Sequence, residues 1–467
     1  MSAPPPEGAA LAGRMVLVAG LGASGVAAAR ALLAAGARVL AADGRDDDGL
    51  RGRAAALAGA GADVRLGGLP PSLLDGRDLV IASPGVPPSD PLLLAAVAAR
   101  VPVWSEPELA WRLARGRTRL VAVTGTNGKT TTTELVAACL GAPAAGNIGT
   151  PLVELIVRGD PPPLAVAELS SFQLHFAETL RPDVAVLVNV APDHLDWHGS
   201  LTAYGVAKAR LWARQRAEDW AVVNADDPGA RRIAAAAPPP GGTVTVSATA
   251  AGTGAGGPHV DVAGGAVRWR APGSPPVAIV PVDTLRVRGA HNLDNVCAAA
   301  GAAIAAGADP ASLAAPLAGF QPGAHRLEHV ARRGDVDWVN DSKATNPHAA
   351  RAALASFDSV VWIAGGLNKG LAFDDLVDVV RGRVRAAITI GECGPQIAAL
   401  TRRLRIVTVE AGTLDVAVAV AAGLARSGDT VLLAPAAASM DQFVDYADRG
   451  RSFRDLVTRL DRPAGAR

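Results

Sequence analysis

Lysine is scarce in this chain: only four of its 45 basic residues are lysine, and the others are arginine. In a chain that uses arginine wherever a solvated cation is enough, a retained lysine marks a position that needs a compact ammonium group or a nitrogen able to lose its proton. Unless their placement is chance, the four lysines therefore have functional roles. They lie in short polar motifs: Lys129 in TGTNGKTT, Lys208 in YGVAKAR, Lys343 in NDSKATN and Lys369 in GGLNKG.

Cysteines and long apolar runs are also few. Cys139, Cys297 and Cys393 lie far apart and form no CxxC pair, which argues against a disulfide framework or a zinc site and is typical of a reducing compartment. No stretch approaches the roughly 18 unbroken apolar residues of a membrane span, and the first residues lack the pattern of a secretory signal. With 45 basic and 44 acidic residues, no net field attracts nucleic acid. We therefore expect a cytoplasmic protein with no membrane insertion and no nucleic-acid partner.

The length and the alternation of apolar strands with helical stretches predict an α/β protein of three domains. The 467 residues correspond to about three domains of ordinary size. We expect a Rossmann-like N-terminal domain over residues 1–115 and a central ATPase-type domain with a phosphate loop and a parallel sheet over residues 116–321. A Rossmann-like C-terminal domain is expected over residues 322–467.

A phosphate-binding loop is predicted in the central domain. Val121–Val123 are typical of a buried strand, residues 125–129 form a glycine-bearing turn, and a helix is expected from Thr130. Unpaired backbone amides at such a helix start can bind a phosphate, while Lys129 supplies a point charge and Thr130 a hydroxyl for Mg²⁺. The loop is a shorter variant of the general pattern, which places more residues before its Gly-Lys pair. A glycine-rich turn without a ligand is the alternative.

Candidate magnesium ligands follow the next two predicted strands. Glu168 ends LAVAEL, and His194 follows VAVLVNV. Because the carboxyl ends of parallel strands meet at one edge of a sheet, both side chains are expected near the phosphate loop. Together they favour a site for two metal ions. Taken singly, Glu168 could instead cap a helix and His194 could be an ordinary loop histidine.

The N-terminal domain contains a dinucleotide fingerprint. Gly20, Gly22 and Gly25 in GLGASG follow the strand MVLVA, and Asp43 comes about 20 residues later, where the fingerprint places an acidic ribose ligand. Alone, this pattern predicts NAD binding. The same helix start can hold the diphosphate of another nucleotide equally well, because its amides contact phosphate oxygens. The residues leave both readings open.

Several motifs in fixed order resemble those of the Mur ligases, ATP-dependent amino-acid ligases of peptidoglycan precursor assembly. They are TGTNGKTTTTEL, GNIGTP, AELSSFQL, NVAPDHLDWHGS, YGVAKAR and RGAHNLDN. Three more are similar to the members that join D-glutamate to UDP-N-acetylmuramoyl-L-alanine: SPGV, NDSKATNPHA and LLAPAAASMDQFVDYADRG. The resemblance covers nearly the whole chain. It implies an ADP-forming ligase that works through an acyl phosphate, with ATP, two Mg²⁺ ions and these two substrates, and we expect a monomer.

The resemblance also implies roles for individual residues. The catalytic set is Lys129, Lys208, His194 and Glu168. The implied ATP ligands are Gly125, Thr126, Asn127, Gly128, Lys129, Thr130, Thr131, Asn292, Asn295, Arg326 and Asp341. The implied metal ligands are Thr130, Glu168, His194 and Lys208, the last as a carbamate formed with CO₂. The implied ligands of the UDP substrate are Ser24, Asp43, Arg45, Ser83 and Asn147, and those of the D-glutamate carboxylates are Thr345, Lys369 and Ser439. Ser170, Lys343 and Tyr446 are implied substrate-binding residues that the resemblance leaves unassigned to one substrate.

The carbamate has a physical rationale. An ammonium group beside Mg²⁺ is repelled and gives up its proton more easily, and the neutral amine can then capture CO₂ and become an anionic ligand. Arginine cannot do this. An exposed helix lysine is the alternative for Lys208, and helix caps are the alternatives for Thr345 and Ser439. Two departures from the family pattern leave contacts open: Gly44 lacks a donor for the UDP moiety, and Tyr446 stands where phenylalanine is expected.

Three other functions compete with this one. A ligase that adds glutamate to folate shares the central motifs but has no need of GLGASG. A dehydrogenase explains GLGASG and leaves TGTNGKTT without a role. A nucleotide switch hydrolyses or exchanges ATP and ignores any amino-acid acceptor.

Overall fold

The computed structural model describes residues 11–114, 116–249, 256–287 and 289–460. These residues form three separate sheets with connecting helices, which confirms the predicted α/β class with three sheet-containing domains. The chain divides into two compact units. The first comprises Met1–Val190, Thr202–Asp283 and Asp294–Ala318, and the second Ala191–Leu201, Thr284–Leu293 and Gly319–Arg467. The boundaries at residues 115 and 321 stay predictions.

The first sheet has five parallel strands, β1 (Met15–Ala19), β2 (Arg38–Asp43), β3 (Asp63–Leu66), β4 (Leu79–Ala82) and β5 (Val103–Trp104). Their order is β3-β2-β1-β4-β5, so β1 is paired on both sides and the glycine loop that follows it leaves the middle of the sheet. Apolar residues occupy β1 and β4 almost completely because helices cover both faces. The helices are α1 (Ala23–Ala34), α2 (Asp48–Gly59), α3 (Pro91–Ala98) and α4 (Glu106–Ala114), with a 3-10 turn at Pro71–Leu74.

The central sheet has nine strands, β6 (Arg119–Thr124), β7 (Ala144–Gly146), β8 (Leu164–Glu168), β9 (Val184–Leu187), β10 (Trp220–Asn224), β11 (Gly242–Ser247), β12 (His259–Ala263), β13 (Ala266–Arg270) and β14 (Val277–Pro281). Their order is β14-β13-β12-β11-β10-β9-β6-β8-β7, parallel from β7 to β12 and antiparallel at β13 and β14. Because β6 pairs with both β8 and β9, the loops after these three strands meet at one edge. The sequence did not predict β12, β13 or β14, whose short alternations lie among glycines and prolines.

The helices that follow this sheet's strands are short apart from two. They are α5 (Lys129–Leu140), α6 (Leu152–Val157), α7 (Ser171–His175), α8 (Leu195–His198), α9 (Leu201–Ala209), α10 (Pro228–Ala236), α11 (Ala290–Ala305) and α12 (Ala314–Gly319), with 3-10 turns at Val282–Thr284 and Pro310–Ser312. The predicted helix after the phosphate loop is α5, which begins one residue earlier than expected. No helix among the described residues is long and apolar enough to cross a membrane.

The third sheet has six strands, β15 (Glu328–Arg333), β16 (Val336–Asn340), β17 (Val360–Gly365), β18 (Val384–Ile390), β19 (Val407–Gly412) and β20 (Thr430–Leu433), in the order β15-β16-β20-β17-β18-β19. All pairs are parallel except β15 with β16. The helices are α13 (Pro347–Leu354), α14 (Val377–Arg383), α15 (Gly394–Arg403), α16 (Leu414–Leu424) and α17 (Tyr446–Arg459), with a 3-10 turn at Asp374–Leu376. The hydrophobic cores on the two faces of this sheet contain the buried side chains of Trp362 and Trp338, respectively.

Two buried glutamates of α4 join the first sheet's domain to the central one. The Glu108 carboxylate accepts the backbone N–H groups of residues 178–180 at 2.9–3.0 Å and pairs with Arg112. Glu106 accepts the N–H of Val153 through Oε1, and its Oε2 has no hydrogen-bond partner among the described residues. Of these two glutamates, Glu106 is therefore the one buried without a compensating cation or a full set of donors.

We expect the stability of this joint to fall as pH rises. Burial raises the pKa of Glu106 from 4.5 to about 8. Between these values the folded chain holds a proton that the unfolded chain has released, so unfolding becomes easier with increasing pH. Glu106→Gln mimics the protonated form. Its unfolding free energy should change less between pH 5 and pH 8 and should exceed that of the parent at pH 8 by an amount on the order of a few kcal/mol.

Urea unfolding followed by circular dichroism at several pH values measures this difference. Glu178→Gln is the matched control, because the side chain of Glu178 lies at the same joint but is 57% exposed. Parallel pH profiles for the parent and Glu106→Gln would contradict the expectation.

Candidate active site

The loop between β6 and α5 has the geometry of an anion site. Gly128, the N-cap of α5, has a left-handed φ of 79°, and a Cβ atom there would lie 2.3 Å from Oδ1 of Asn295. A side chain at this position is therefore excluded by both conformation and space. The first backbone N–H groups of the 12-residue helix have no partner within the helix, and its dipole favours negative charge at this end. A phosphate group fits both features.

Two of the four lysines bond to the backbone of this loop. Nζ of Lys129 donates to the carbonyl oxygens of Gly125 and Thr126 at 3.0 and 2.9 Å. Nζ of Lys208 donates to the same Gly125 oxygen at 2.7 Å and lies 4.5 Å from the Tyr204 ring centroid. Lys208 is only 1% exposed, so the alternative of an exposed helix lysine is wrong. The loop is thus held on its inner side by two ammonium groups.

Asn189 and Tyr204 hold the same loop, and sequence reasoning missed both. Oδ1 of Asn189 accepts the N–H groups of Asn127 and Thr126 at 2.8 and 3.1 Å, and its Nδ2 donates to the Asn127 carbonyl at 3.0 Å. The Tyr204 hydroxyl lies 3.1 Å from Oγ1 of Thr126. A signal for Asn189 was available, since it is a polar residue at the end of a predicted strand in the motif NVAPDH. Tyr204 is the first residue of the motif YGVAKAR, but a tyrosine within a predicted helix does not by itself indicate a contact with the phosphate loop.

Glu168 lies beside the start of α5, as predicted. Its Oε2 accepts the Thr130 hydroxyl at 2.6 Å, and its Oε1 accepts Nδ2 of Asn147 at 2.9 Å. The carboxylate is 2% exposed, and in the described part of the chain no basic nitrogen lies within 4.0 Å of it. The alternative role as a helix cap is wrong, because Ser170 caps α7 in a capping box with Gln173.

The oxygen donors of Thr130 and Glu168 fit Mg²⁺. No group of three or more His, Cys, Asp or Glu side chains in the described ranges could hold a metal ion by itself. This is the ordinary situation for Mg²⁺, which is held by one or two carboxylates together with phosphate oxygens and water. The residues present therefore suit a metal that arrives with a nucleotide.

The remaining predicted nucleotide ligands of the first compact unit also lie at this loop. Thr131 is buried in the first turn of α5. Oδ1 of Asn295 accepts the Thr132 hydroxyl at 3.2 Å and faces Gly128. Asn295 of α11 thereby contacts the phosphate loop.

In the first sheet's domain, the structure brings Asp43 and Ser83 to the GLGASG loop. Asp43 accepts the N–H of Leu21 at 2.8 Å and that of Arg45 at 3.0 Å. The Ser83 hydroxyl donates to the carbonyl of Gly20 at 2.6 Å. Both side chains therefore shape the loop through its backbone. The carboxylate that the NAD hypothesis assigns to ribose is already bonded to two backbone N–H groups.

Two more predicted ligands of the UDP moiety are less constrained. Ser24 lies half-buried in the first turn of α1. The Arg45 side chain is 72% exposed and has its Nε 3.8 Å from Oδ1 of Asp43. The space beside Gly44 is open: apart from its chain neighbours, no heavy atom lies within 4 Å of the position that a Cβ atom would take.

His194 belongs to the second compact unit, whereas Glu168 and Lys208 belong to the first. It has a left-handed φ of 52° and precedes α8. Its backbone N–H donates to Oδ1 of Asp193, whose Oδ2 accepts Nδ2 of Asn346 at 2.9 Å. Asn292, also in the second unit, is buried in the first turn of α11.

The loop after β16 carries three predicted ligands. Asp341 is buried, and this burial raises the pKa of its carboxyl group to about 7. Lys343 has its Nζ 3.8 Å from the centroid of the Tyr446 ring, a cation–π contact that phenylalanine could also make. Thr345 is half-buried and does not cap α13, because Asn346 accepts the capping hydrogen bond. The hydroxyl of Tyr446 is thus not needed for the contact that the structure shows.

The other predicted ligands of the third sheet's domain lie in separate loops. Lys369 is half-buried in the loop after β17, and Ser439 is buried in the loop after β20. Ser439 does not cap α17, whose N-cap is Asp445. Arg326 is half-buried just before β15.

Fold and site together define an enzyme that binds a nucleoside triphosphate on a parallel sheet, and comparisons identify the family. The chain matches the Mur ligase MurD-like N-terminal domain over residues 14–105, the Mur ligase middle domain over 123–303 and the Mur ligase glutamate ligase domain over 325–437. It is 51% identical to the UDP-N-acetylmuramoylalanine--D-glutamate ligase of Frankia casuarinae, over 96% of this chain and 94% of that protein. The enzyme of the same name from Thermobifida fusca is 42% identical, over 96% and 99%.

The chain therefore belongs to the Mur ligase family, and the resemblance drawn from its motifs is confirmed. Members of this family are ATP-dependent, ADP-forming peptide ligases. Solved structures agree in fold. A pseudomurein peptide ligase of Methanothermus fervidus has a TM-score of 0.57 at 18% identity, covering 96% of this chain and all of that chain. UDP-N-acetylmuramate-alanine ligase of Thermotoga maritima has a TM-score of 0.56 at 20% identity, with the same coverage.

We expect Asn189 to control nucleotide affinity through the loop. Asn189→Ala removes three hydrogen bonds to the loop backbone and should weaken binding of a non-hydrolysable ATP analogue about tenfold. Asn189→Asp keeps the acceptor, loses the donor and adds a negative charge beside the phosphates, so it should bind more weakly still. Isothermal titration calorimetry measures both values.

Gln215→Ala is the control. Gln215 also has an amide that bonds to backbone, through the carbonyls of Pro182 and Trp220, but it lies at the amino ends of the strands. Its loss should leave the affinity for the ATP analogue unchanged. Parent-like binding by Asn189→Ala would show that the loop keeps its shape without this side chain.

Proposed function

We propose that the protein joins D-glutamate to UDP-N-acetylmuramoyl-L-alanine while ATP is converted to ADP and phosphate. The use of ATP is supported by the phosphate loop, in which Lys129 bonds to the loop backbone and the Thr130–Glu168 pair lies beside it. The substrate half is supported by curated relatives named for this reaction, which match the chain over nearly its full length. We place the reaction in peptidoglycan precursor synthesis in the cytoplasm, carried out by a monomer.

The chain's own groups manage charge during the first step. A carboxylate oxygen of UDP-N-acetylmuramoyl-L-alanine attacks the γ-phosphorus of ATP; a P–O bond forms to give the acyl phosphate, and the bond to the leaving ADP breaks. Two anions must approach each other for this, and the charge of Lys129 and the amides at the start of α5 offset their repulsion. Thr130 and Glu168 are the residues that would hold Mg²⁺ here. When bound, Mg²⁺ neutralises charge on the phosphate oxygens.

The second step forms the amide. The amine of D-glutamate attacks the acyl carbon, and a tetrahedral intermediate collapses with loss of phosphate and of the amine proton. We assign binding of the two glutamate carboxylates to the ammonium groups and hydroxyls of the third sheet's loops, since paired cations suit a dicarboxylate. These residues are Lys343, Thr345, Lys369, Ser439 and Tyr446.

The remaining assignments follow the family pattern. For the UDP moiety and the adjoining sugar we propose Ser24, Asp43, Arg45, Ser83, Asn147 and Ser170. Asn292, Asn295, Arg326 and Asp341 complete the ATP site in this proposal. His194, and Lys208 as a carbamate, are residues that would serve as ligands of a second Mg²⁺. The burial of Lys208 beside Gly125 supports a role at the phosphate loop that a surface lysine could not have.

The proposal is tested by assaying ADP release with ATP, UDP-N-acetylmuramoyl-L-alanine and a panel of amino acids. D-glutamate should support turnover, while L-glutamate, D-aspartate and D-alanine should support far less. Turnover that ignores D-glutamate would overturn the substrate assignment. ADP release without any acceptor would favour a nucleotide switch, and absorbance change with NADH would favour a dehydrogenase.

Substitutions of Lys208 distinguish a carbamate at this position from an ammonium group with a purely structural role. Lys208→Ala should lower the rate about 100-fold or more, and a small added carboxylate should restore part of it by taking the place of the carbamate. A carbon-13 carbamate signal should also appear in the parent after equilibration with labelled bicarbonate.

Lys129→Ala is the control for rescue, because its missing group is a cation that a carboxylate cannot replace. A Lys208→Arg variant as active as the parent would rule out the carbamate, since guanidinium does not capture CO₂.

A further inference from the structure

Arg449, in the first turns of α17, is among the largest fully buried side chains of the protein, with 1% exposure. Its guanidinium has five N–H donors, and five oxygen acceptors surround it. Nε donates to the Ser342 hydroxyl at 3.0 Å, and Nη2 donates to the carbonyls of Ser342 and Ala437 at 3.0 and 3.2 Å. Nη1 donates to the carbonyls of Ala438 and Gly365 at 3.2 and 3.4 Å. The number of acceptors matches guanidinium and exceeds what an ammonium group can serve.

The five acceptors come from three loops at the carboxyl ends of neighbouring strands. Ser342 follows β16, Gly365 ends β17, and residues 437–438 follow β20, which lies between β16 and β17 in the sheet. A Cβ atom on Gly366 would lie 2.1 Å from the Ala438 carbonyl oxygen and 3.1 Å from Nη1 of Arg449. The loops therefore approach each other too closely for a side chain at that point, and the guanidinium links them.

Each of these loops carries a residue proposed above to bind the amino-acid substrate. Lys343 is the next residue after Ser342, Lys369 lies in the loop after Gly365, and Ser439 follows the two carbonyls after β20. The Ser342 hydroxyl also donates to the Tyr446 carbonyl at 2.8 Å, at the helix start whose ring contacts Lys343. One buried side chain thus connects the backbones that position all of these groups.

The charge of Arg449 is not paired. In the described part of the chain no carboxylate oxygen lies within 4.0 Å of its guanidinium, and its bonds are to carbonyl and hydroxyl oxygens. Burial lowers the pKa of Arg449 to about 10, so the group remains a cation at neutral pH. A buried cation without a counter-ion is costly and favours an anion nearby. The carboxylate of Asp441 offsets the positive charge of Arg449 only in part, because it lies beyond the 4.0 Å of an ion pair.

We propose that Arg449 is a positioning residue for the amino-acid substrate: it sets the spacing of the three loops and places a positive charge beneath them that favours a dicarboxylate. This inference rests on the proposed function, because it takes D-glutamate as the substrate of those loops. It assigns no contact between Arg449 and the substrate. Its distinguishing consequence is an effect on the KM of the amino acid alone.

The test compares Arg449→Lys and Arg449→Met in the full-length protein with all three substrates varied in turn. Arg449→Lys keeps the charge but can serve at most three acceptors, so it separates loop spacing from charge. The KM for D-glutamate should rise about tenfold in Arg449→Lys and further in Arg449→Met, which loses both features. The KM values for ATP and UDP-N-acetylmuramoyl-L-alanine should stay within about twofold of the parent.

Arg385→Met is the matched control. Arg385 is a part-buried arginine of the same sheet that bonds to Asp429 at the amino ends of the strands. It should lower the melting temperature without raising the KM for D-glutamate. The proposal would be contradicted if the KM for D-glutamate were unchanged in both Arg449 variants, or if the KM values for all three substrates rose together. Arg449 would then only stabilise the fold.

Ser342→Ala keeps the test decisive if both arginine variants fail to fold. It removes one acceptor of Arg449 and the bond to Tyr446 while leaving the charge, and the KM for D-glutamate should rise about threefold or more. No rise would overturn the proposal. If the parent itself shows no turnover that depends on D-glutamate, the proposed function fails, and that result is distinct from any change among variants.

Discussion

A loop that binds an anion at the end of a parallel strand must leave its backbone N–H groups exposed. It must therefore keep an open shape in which these groups do not bond to the loop itself. Here each such loop is held by buried or half-buried polar side chains that bond to its backbone. Asn189, Lys129 and Lys208 hold the phosphate loop. Asp43 and Ser83 hold the glycine loop of the first sheet, and Arg449 holds three loops of the third. Glycine gives these loops their openness, and the buried polar groups give them a fixed shape.

This arrangement accounts for several of the buried polar side chains of the protein, among them Asp43, Ser83, Lys208 and Arg449. A buried polar group destabilises the fold unless its hydrogen bonds are satisfied. When a guanidinium, amide or carboxylate group bonds to the backbone of a loop, the hydrogen bonds of the side chain are satisfied. The same bonds satisfy the carbonyl and N–H groups of the loop, which have no partners in a helix or strand. Glu106 is an exception at the joint between two domains, since one of its oxygens has no partner in the described ranges.

The fold class and the family could be predicted from the sequence, because glycine turns, apolar strands and ordered motifs are local signals. The approach of Thr130 to Glu168 could also be predicted, since the ends of adjacent parallel strands meet at one sheet edge. Tyr204 and Arg449 could not, because their partners lie far along the chain and only the tertiary fold brings them together. Composition concealed Arg449 further. In a chain rich in arginine, one more arginine carries no signal, and only its five acceptors distinguish it.

The geometry of Lys208 is compatible with both its hydrogen bond to the phosphate loop and the carbamate proposed for it. Its Nζ donates to the Gly125 carbonyl at 2.7 Å, and a carbamate retains one N–H on the same nitrogen. The bond that supports the phosphate loop can therefore survive conversion of the cation to an anion. Arginine could supply the bond and the positive charge but could never carry the negative one. The proposed carbamate would therefore give a chain that uses arginine almost everywhere a physical reason to keep lysine here.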